Sequence, residues 1–149
     1  MKNKIKNNVK YKCIICVQSD YSELNRIREF VQQNASIFGF TDIEASKITL
    51  AVDEACTNII KHTHNHDKSK EIWVAIDTEN ENFIVNILNE GNPFDPLQVP
   101  QQNMNEYFKG YKRGGLGISI MKKLIDDIKY FPHNESFPKN ILRLTKSLH

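Results

Sequence analysis

The sequence predicts an α+β fold, a two-layer sandwich in which helices cover one face of a mixed, mainly antiparallel sheet. Apolar residues recur at helical spacing in three segments, which predicts amphipathic helices over residues 22–38, 42–62 and 116–128. Residues 72–77 and 83–89 are strand-like, and the short polar connection between them suits an antiparallel hairpin. A parallel sheet of alternating strands and helices is the alternative.

The first half of the chain begins with a strand and continues with two helices. Residues 11–18 are apolar and β-branched, as is typical of strands. Gly39 ends the first helix, because glycine readily takes the left-handed conformation that closes a helix. Each helix starts with a capping-box pair of side chains: Asp20 with Glu23, and Thr41 with Glu44.

The second half contains a long segment without a regular pattern. Residues 90–114 hold three prolines and show almost no periodicity. Loops longer than about 12–15 residues are uncommon and are usually functional or disordered, so this one needs an explanation. The third helix follows, and strands at residues 129–131 and 140–146 close the chain.

Composition restricts the class of protein. The chain has 149 residues, 40% hydrophobic and 26% charged, which is typical of one domain spanning residues 1–149. A net charge of +2 gives no electrostatic reason to expect nucleic acid or a membrane surface as partner. No apolar run approaches the ~20 residues that cross a bilayer. Cys13 and Cys16 lie in the first strand, so we expect buried thiols rather than a redox or zinc pair, in a cytoplasmic protein.

Glu54 and Asn58 form the first candidate site. They lie four residues apart, so a helix places one above the other on the same face, beside the apolar stripe. A carboxylate and an amide oxygen in this arrangement suit a hard cation such as Mg²⁺, or position a hydroxyl or water for attack. Taken alone, the pair is better explained as a solvated flank of the helix.

Two glycine-containing segments form the other candidate sites. At the end of the strand 83–89, Asn89 is placed to present its amide to the edge of a purine base, and Gly91 permits close approach of a ligand. The second segment opens a helix, whose N-terminus offers unpaired N–H groups to a phosphate. It comprises Lys112, Arg113, Gly114, Gly115, Leu116 and Gly117. An ordinary turn or loop end is the alternative for each segment.

The order and spacing of these segments are more specific than any one of them. An E-x-x-x-N helix, a strand leading into G-x-P-F-D-P, a long loop, and G-G-L-G at a helix start resemble the Bergerat-type ATP-binding domain of gyrase, histidine kinases and mismatch-repair ATPases. Within that superfamily, the segments LAVDEACTNIIKH, GNPFDP and GGLGISIMKKLIDDIKY resemble the small bacterial serine kinases that act as anti-sigma factors. The similarity covers nearly the whole chain.

The resemblance implies a role for each candidate residue. Glu54 corresponds to the glutamate that acts as general base, and Asn58 to the asparagine that binds magnesium. Gly91 corresponds to the first glycine of the turn beside adenine, and residues 95–113 to the lid over the nucleotide. The implied cofactors are ATP and Mg²⁺. Their phosphate-side partners are Arg113, Gly114, Gly115, Leu116 and Gly117.

Asn89 departs from the family pattern. The family has an aspartate there, whose carboxylate binds the amino group of adenine, and asparagine keeps one carbonyl acceptor but loses the charge and gains donors. Weaker binding of adenine through the Asn89 carbonyl is therefore expected. Glu90 points to the opposite face of the strand and is a poor substitute. The last strand also lacks the family's glycine–threonine pair and begins at Asn140.

The resemblance implies an ATP-dependent protein serine/threonine kinase that phosphorylates an anti-sigma-factor antagonist and sequesters a sigma factor, with a homodimer as the suggested assembly. The alternative is a non-catalytic binding module of the same fold that captures a partner with or without nucleotide. Asn89 favours the module, whereas Glu54, Asn58 and the glycines favour the kinase. A detached histidine-kinase domain is less expected, because no phospho-accepting helix pair precedes the domain in this sequence.

Two remaining features are predicted to be structural. His62, His64 and His66 alternate in a polar segment, and a two-residue spacing suits no standard zinc pattern, so a solvated loop is expected. Trp73 lies in an apolar strand and is expected to pack on a face of the sheet.

Overall fold

The computed structural model describes residues 3–5, 9–98 and 114–148. Its helices are α1 (Leu24–Phe38), α2 (Asp42–Asn58) and α3 (Gly114–Leu124). Its strands are β1 (Asn3–Ile5), β2 (Val9–Tyr11), β3 (Cys13–Gln18), β4 (Glu71–Glu79), β5 (Asn82–Asn89), β6 (Asp127–Phe131) and β7 (Asn140–Ser147). None of the helices in these ranges is long and apolar enough to cross a membrane.

A five-stranded sheet in the order β3-β4-β5-β7-β6 forms one layer of the fold. Each of its neighbouring strand pairs is antiparallel, so the predicted α+β class is confirmed and the described sheet contains no parallel pair. β1 and β2 form a separate two-stranded hairpin that the sequence did not predict. The first predicted strand consequently begins at Cys13 instead of Tyr11.

The core lies between the helices and one face of this sheet. Alternate strand residues point to the helices, since side chains along a strand alternate between faces. Fully buried members of this core include Ile27, Val31, Ile48, Val52, Ile72, Val74, Ile76, Phe83, Val85, Ile87 and Leu144. The same alternation puts Asn89 and Asn140, which are directly opposite each other in the β5–β7 register, on the helix side of the sheet.

The start of α2 agrees with its predicted capping box, whereas the start of α1 does not agree with its own. Thr41 and Glu44 make the predicted capping box at the start of α2. Asp20 instead caps a short 3-10 turn by accepting from the Ser22 N–H at 3.0 Å, and α1 begins at Leu24. The third helix was predicted to reach Ile128 but ends at Leu124.

The apolar residues after α3 fit both the helical period and the alternation of a strand. The sequence therefore predicted a helix where the structure has a strand. Ile128 and Tyr130 lie two residues apart and pair across β7 with Leu144 and Leu142. Both side chains pack against the main core from the sheet. Helical spacing and strand alternation cannot be separated over so few residues, and the pairing with β7 selects the strand.

Cys13 and Cys16 in β3 and Trp73 in β4 were predicted to have structural positions, and the structure places them in the sheet. Cys13 and Cys16 lie on opposite faces of β3 and are partly buried, which excludes a pairing between them within the strand. Burial, followed by a hydrogen bond to Glu71, raises the pKa of Cys16 to about 12. Trp73 packs on the sheet face opposite the helices, with the ammonium of Lys139 4.3 Å from its ring centroid.

Candidate functional site

The end of α2 carries the first two candidate residues. Glu54 and Asn58 lie one turn apart in the last part of the helix. Directly after Asn58 the backbone widens into a π-type turn over Ile59–Thr63, in which the His64 N–H donates to the Ile59 carbonyl at 2.9 Å. Widened turns of this kind occur frequently at functional sites.

Asn58 is buried without a complete set of hydrogen bonds. Its side chain is 8% exposed, and its Nδ2 has no hydrogen-bond partner within the described part of the chain. A buried polar group left unpaired costs about 1–3 kcal/mol. The prediction of a solvated helix flank therefore fails at this residue, and a ligand that completes its hydrogen bonds explains the placement.

Glu54 is partly buried one turn earlier. Burial raises the pKa of its carboxyl, the neighbouring charge of Asp53 raises it further, and Lys61 opposes the shift. Asp53 itself faces α1, where its carboxylate accepts from Arg28 at 2.9 Å. A carboxylate with a raised pKa holds a proton more readily, which suits a general base.

Gly117 lets the start of α3 approach Glu54. A Cβ added to Gly117 would meet the Oε2 of Glu54 at less than contact distance, so a residue with a side chain cannot occupy this position without moving the carboxylate. Gly114 and Gly115 belong to the first turn of α3, where backbone N–H groups have no partner within the helix. The structure therefore brings the predicted base to the helix N-terminus predicted to hold phosphate.

The helix begins two residues earlier than the sequence predicted, so the glycines are part of its first turn rather than a loop ahead of it. Leu116 lies in the same turn. Arg113, Lys112 and the lid residues 99–113 lie outside the described residues, and their roles stay predictions.

A small cavity joins the end of α2 to the end of β5. It is about 20 Å³ in volume and is lined by Ala55, Asn58, Ile59, Asn89, Phe94, Pro96, Tyr130 and Leu142. The Phe94 N–H donates to the Tyr130 hydroxyl at 3.1 Å, which holds the segment after Gly91 over the cavity. This volume accommodates about one water, so a purine base does not fit the cavity as it stands.

Asn89 reaches the cavity through a side-chain pair that the sequence did not reveal. Its Oδ1 accepts from the Nδ2 of Asn140 at 3.1 Å. The same Nδ2 donates to the Gly91 carbonyl at 3.1 Å, and the Oδ1 of Asn140 accepts from the His133 N–H at 2.9 Å. The Asn89 carbonyl thus already accepts one hydrogen bond from Asn140, and its role toward an adenine amino group stays a prediction.

Comparison with known protein families finds a match along most of the chain. Residues 17–146 match the histidine kinase-like ATPase domain. The chain belongs to this family. The superfamily inferred from the motifs is thereby confirmed.

Similar proteins include serine-protein kinases named RsbW. That of Bacillus subtilis (strain 168) is 29% identical over 136 residues, which cover 87% of this chain and 83% of that protein. That of Listeria innocua is 30% identical over 102 residues, covering 65% of this chain and 64% of that protein. A crystal structure of the RsbU and RsbW domains of a Mycobacterium tuberculosis protein has a TM-score of 0.62 at 14% identity, covering 91% of this chain and 31% of that one. At this identity the structural likeness shows the fold alone.

The residues of this ATPase domain fit a magnesium nucleotide in part. The buried, unpaired amide of Asn58 is suited to a ligand that brings its own polar groups. No group of three or more His, Cys, Asp or Glu side chains in the described ranges is arranged to hold a metal ion. Mg²⁺ is commonly bound by one or two protein oxygens together with substrate phosphates and water. Asn58 would supply its Oδ1 to the ion, because its unpaired Nδ2 is a donor and does not bind a cation.

His64 supports the turn beside the cavity. The prediction of a solvated loop is wrong for this residue: it is 4% exposed, with Nδ1 2.8 Å from the Ser19 hydroxyl and Nε2 3.0 Å from the Glu90 carbonyl. A carbonyl only accepts, so Nε2 carries the hydrogen and Nδ1 accepts from Ser19. Burial lowers the pKa of His64, which keeps the ring neutral.

Gly91 requires its glycine at this turn. Its φ is 136°, in the region that side chains disfavour, and an added Cβ would lie 3.2 Å from Thr63 Cγ2. His62, unlike His64, is exposed and stacks on Phe94 at 4.9 Å between ring centroids. Thr63, His64 and His62 therefore all lie against residues 90–94, which follow β5.

Proposed function

We propose that this chain is an ATP-dependent protein serine kinase that phosphorylates an anti-sigma-factor antagonist and also sequesters a sigma factor, in the cytoplasm. The observation that carries the proposal is the contact of the partly buried Glu54 carboxylate with Gly117 at the start of α3, one turn from the unpaired amide of Asn58. Similarity to proteins named serine-protein kinase RsbW supports the activity and the kind of partner.

In the proposed reaction, the Glu54 carboxylate takes the proton of a serine hydroxyl on the antagonist. The serine oxygen attacks the γ-phosphorus, the bond from that phosphorus to the β–γ bridging oxygen breaks, and ADP leaves. The N–H groups of the first turn of α3, at Gly114 and Gly115, hold phosphate oxygens. Asn58 would hold Mg²⁺ through its Oδ1, and the ion would neutralise charge on the phosphates. Positioning and charge neutralisation supply most of the catalysis in phosphoryl transfer.

The test incubates the chain with ATP labelled at the γ-phosphate and a candidate antagonist domain, and follows label on serine. Glu54→Gln is expected to leave nucleotide binding unchanged and to slow transfer by about 10²–10⁴-fold, the usual contribution of a general base. Asn58→Ala is expected to remove the magnesium dependence of binding. Glu29→Gln is the matched control, because this carboxylate is exposed on α1 and is not among the groups that shift the pKa of Glu54.

A second function, the non-catalytic binding module, is favoured by the Asn89–Asn140 pair and the small cavity. The pair occupies one of the acceptor positions of the Asn89 oxygen, and the cavity leaves little room for adenine. If the native chain binds a sigma factor but labels no serine at saturating ATP, the module replaces the kinase. If no heat of binding appears at millimolar Mg-ATP in either the native protein or Asn89→Asp, the nucleotide function is refuted.

A further inference from the structure

The outer face of the sheet, which is the side opposite the helices, carries a second apolar cluster. Tyr11, Ala75 and Leu88 are buried in it, and Phe137 packs against it. Phe137 belongs to the connection between β6 and β7, which therefore lies over this face. The proposed nucleotide site lies on the helix side of the sheet, so the two sites are separate.

A cavity of about 460 Å³ opens beside this cluster and is called the outer cavity below. Volumes of about 300–1,000 Å³ are typical of sites for small organic molecules. Its apolar wall includes Phe131, Phe137 and Ile141. The charged residues among its described lining residues are Lys139 and Arg143, and no carboxylate is among them. The outer cavity therefore combines an apolar wall with charge of one sign.

Lys139 is buried without a negative partner. It is 5% exposed, and none of the ion pairs between described residues includes it. Its ammonium lies 4.3 Å from the centroid of the Trp73 ring, which attracts a cation but carries no compensating charge. Burying a charge is costly unless the charge is paired, so a ligand with a negative charge explains this placement.

Arg143 brings a second cation to the outer cavity. Its Nε donates to the Oδ1 of Asn86 at 2.9 Å, and its guanidinium carbon lies 5.1 Å from the centroid of the Phe131 ring. With Nε used in this way, the Nη groups are the donors that Arg143 offers to a ligand. A guanidinium binds a carboxylate through short, charge-assisted hydrogen bonds, so Arg143 favours the same kind of ligand as Lys139.

Two carboxylates of β4 lie near this face but outside the outer cavity. Burial raises the pKa of the Tyr11 hydroxyl, and Arg143 opposes this shift whereas Asp77 adds to it. Glu71 accepts from the Cys16 thiol at 3.3 Å. Neither carboxylate lines the cavity or forms an ion pair with either of its cations. The positive charge of the cavity is therefore left for a ligand to neutralise.

We infer that the outer cavity binds a small amphipathic carboxylate. The carboxylate is attracted by Lys139 and Arg143, and its apolar chain or ring packs against the wall that contains Phe131 and Phe137. Lys139, Ile141 and Arg143 alternate along the chain at and just before the start of β7, which places both cations and an apolar residue on the same face. This site is independent of the proposed kinase reaction.

The test titrates the full chain with octanoate, and with octan-1-ol and acetate as matched ligands. Trp73 is the single tryptophan of the chain and lies beside Lys139, so its fluorescence reports on the outer cavity. We expect octanoate to bind saturably and about tenfold more tightly than octan-1-ol, because charge-assisted hydrogen bonds are stronger than neutral ones. Acetate lacks the apolar chain and is expected to produce no saturable change in the same concentration range.

Variants of Lys139 locate the binding site. Lys139→Gln is expected to weaken octanoate binding about tenfold and to leave octan-1-ol binding unchanged, since only the charge interaction is removed. Lys139→Arg keeps the charge and should retain octanoate binding. Lys123→Gln is the matched control, because it removes the same charge from an exposed position on α3, in the helix layer.

Three results would overturn the inference and leave the proposed kinase standing. One is octan-1-ol binding to the native chain as tightly as octanoate, and another is the absence of a saturable response to millimolar octanoate. The third is a response to octanoate that disappears as the chain concentration rises while sedimentation shows a dimer, which would assign the outer face to a second copy of the chain. The native comparison of octanoate with octan-1-ol decides the inference even where a Lys139 variant does not fold.

Discussion

Replacing Gly117 with alanine tests whether this glycine serves to position the Glu54 carboxylate. The added Cβ would overlap the Glu54 Oε2 and lie 3.3 Å from Glu54 Cδ and 3.9 Å from Glu54 Cβ. The obstacle is the far end of a flexible side chain, so the helix can stay in place while the carboxylate moves away. The position of the base, more than the fold, is expected to change.

The expected magnitudes separate stability from catalysis. Alanine favours a helix over glycine by up to about 1 kcal/mol, and a strained Glu54 rotamer costs ~0.5–1.5 kcal/mol, so the free energy of unfolding changes by less than about 1 kcal/mol. Displacing a reacting group by about 1 Å costs on the order of 10²-fold in rate. Gly117→Ala is therefore expected to slow serine phosphorylation about 100-fold with nearly native stability.

Initial rates of phosphorylation and urea unfolding midpoints check this expectation. Combining Gly117→Ala with Glu54→Gln should slow transfer no further than Glu54→Gln alone, because both changes remove the same base. A native rate in Gly117→Ala, or losses that multiply in the double variant, would show that Gly117 does not act through Glu54.

Two further predictions concern stability. Thr41→Ala removes the capping box of α2 and should lower the free energy of unfolding by about 1 kcal/mol in urea titrations, whereas Ser46→Ala on the exposed side of α2 should not. Burial lowers the pKa of His64 below its unfolded value of 6.5, so its contribution to stability is full above pH 6.5 and is lost as pH falls through the folded pKa. Thermal melts across this range should show the decrease in the native chain and a smaller one in His64→Gln. Equal decreases would place the titrating group elsewhere.

The sequence by itself determined the elements and the identity of several site residues. Period and capping are local, so the pattern predicted α1, α2 and the β4–β5 hairpin close to their observed positions. The four-residue spacing placed Glu54 and Asn58 on one helical face, as observed. The order and spacing of the motifs indicate the ATPase family without any knowledge of the contacts between them.

Only the tertiary structure decided the contacts between distant residues. Asn89 and Asn140 are 51 residues apart and meet because β5 and β7 pair in one register, which no local pattern specifies. Packing of α3 against α2 brings Gly117 to Glu54, and the burial of His64 depends on the ends of β3 and β5 meeting beside it. Which amide atoms of Asn89 and Asn140 meet also depends on such long-range pairing, because each amide carries both a donor and an acceptor.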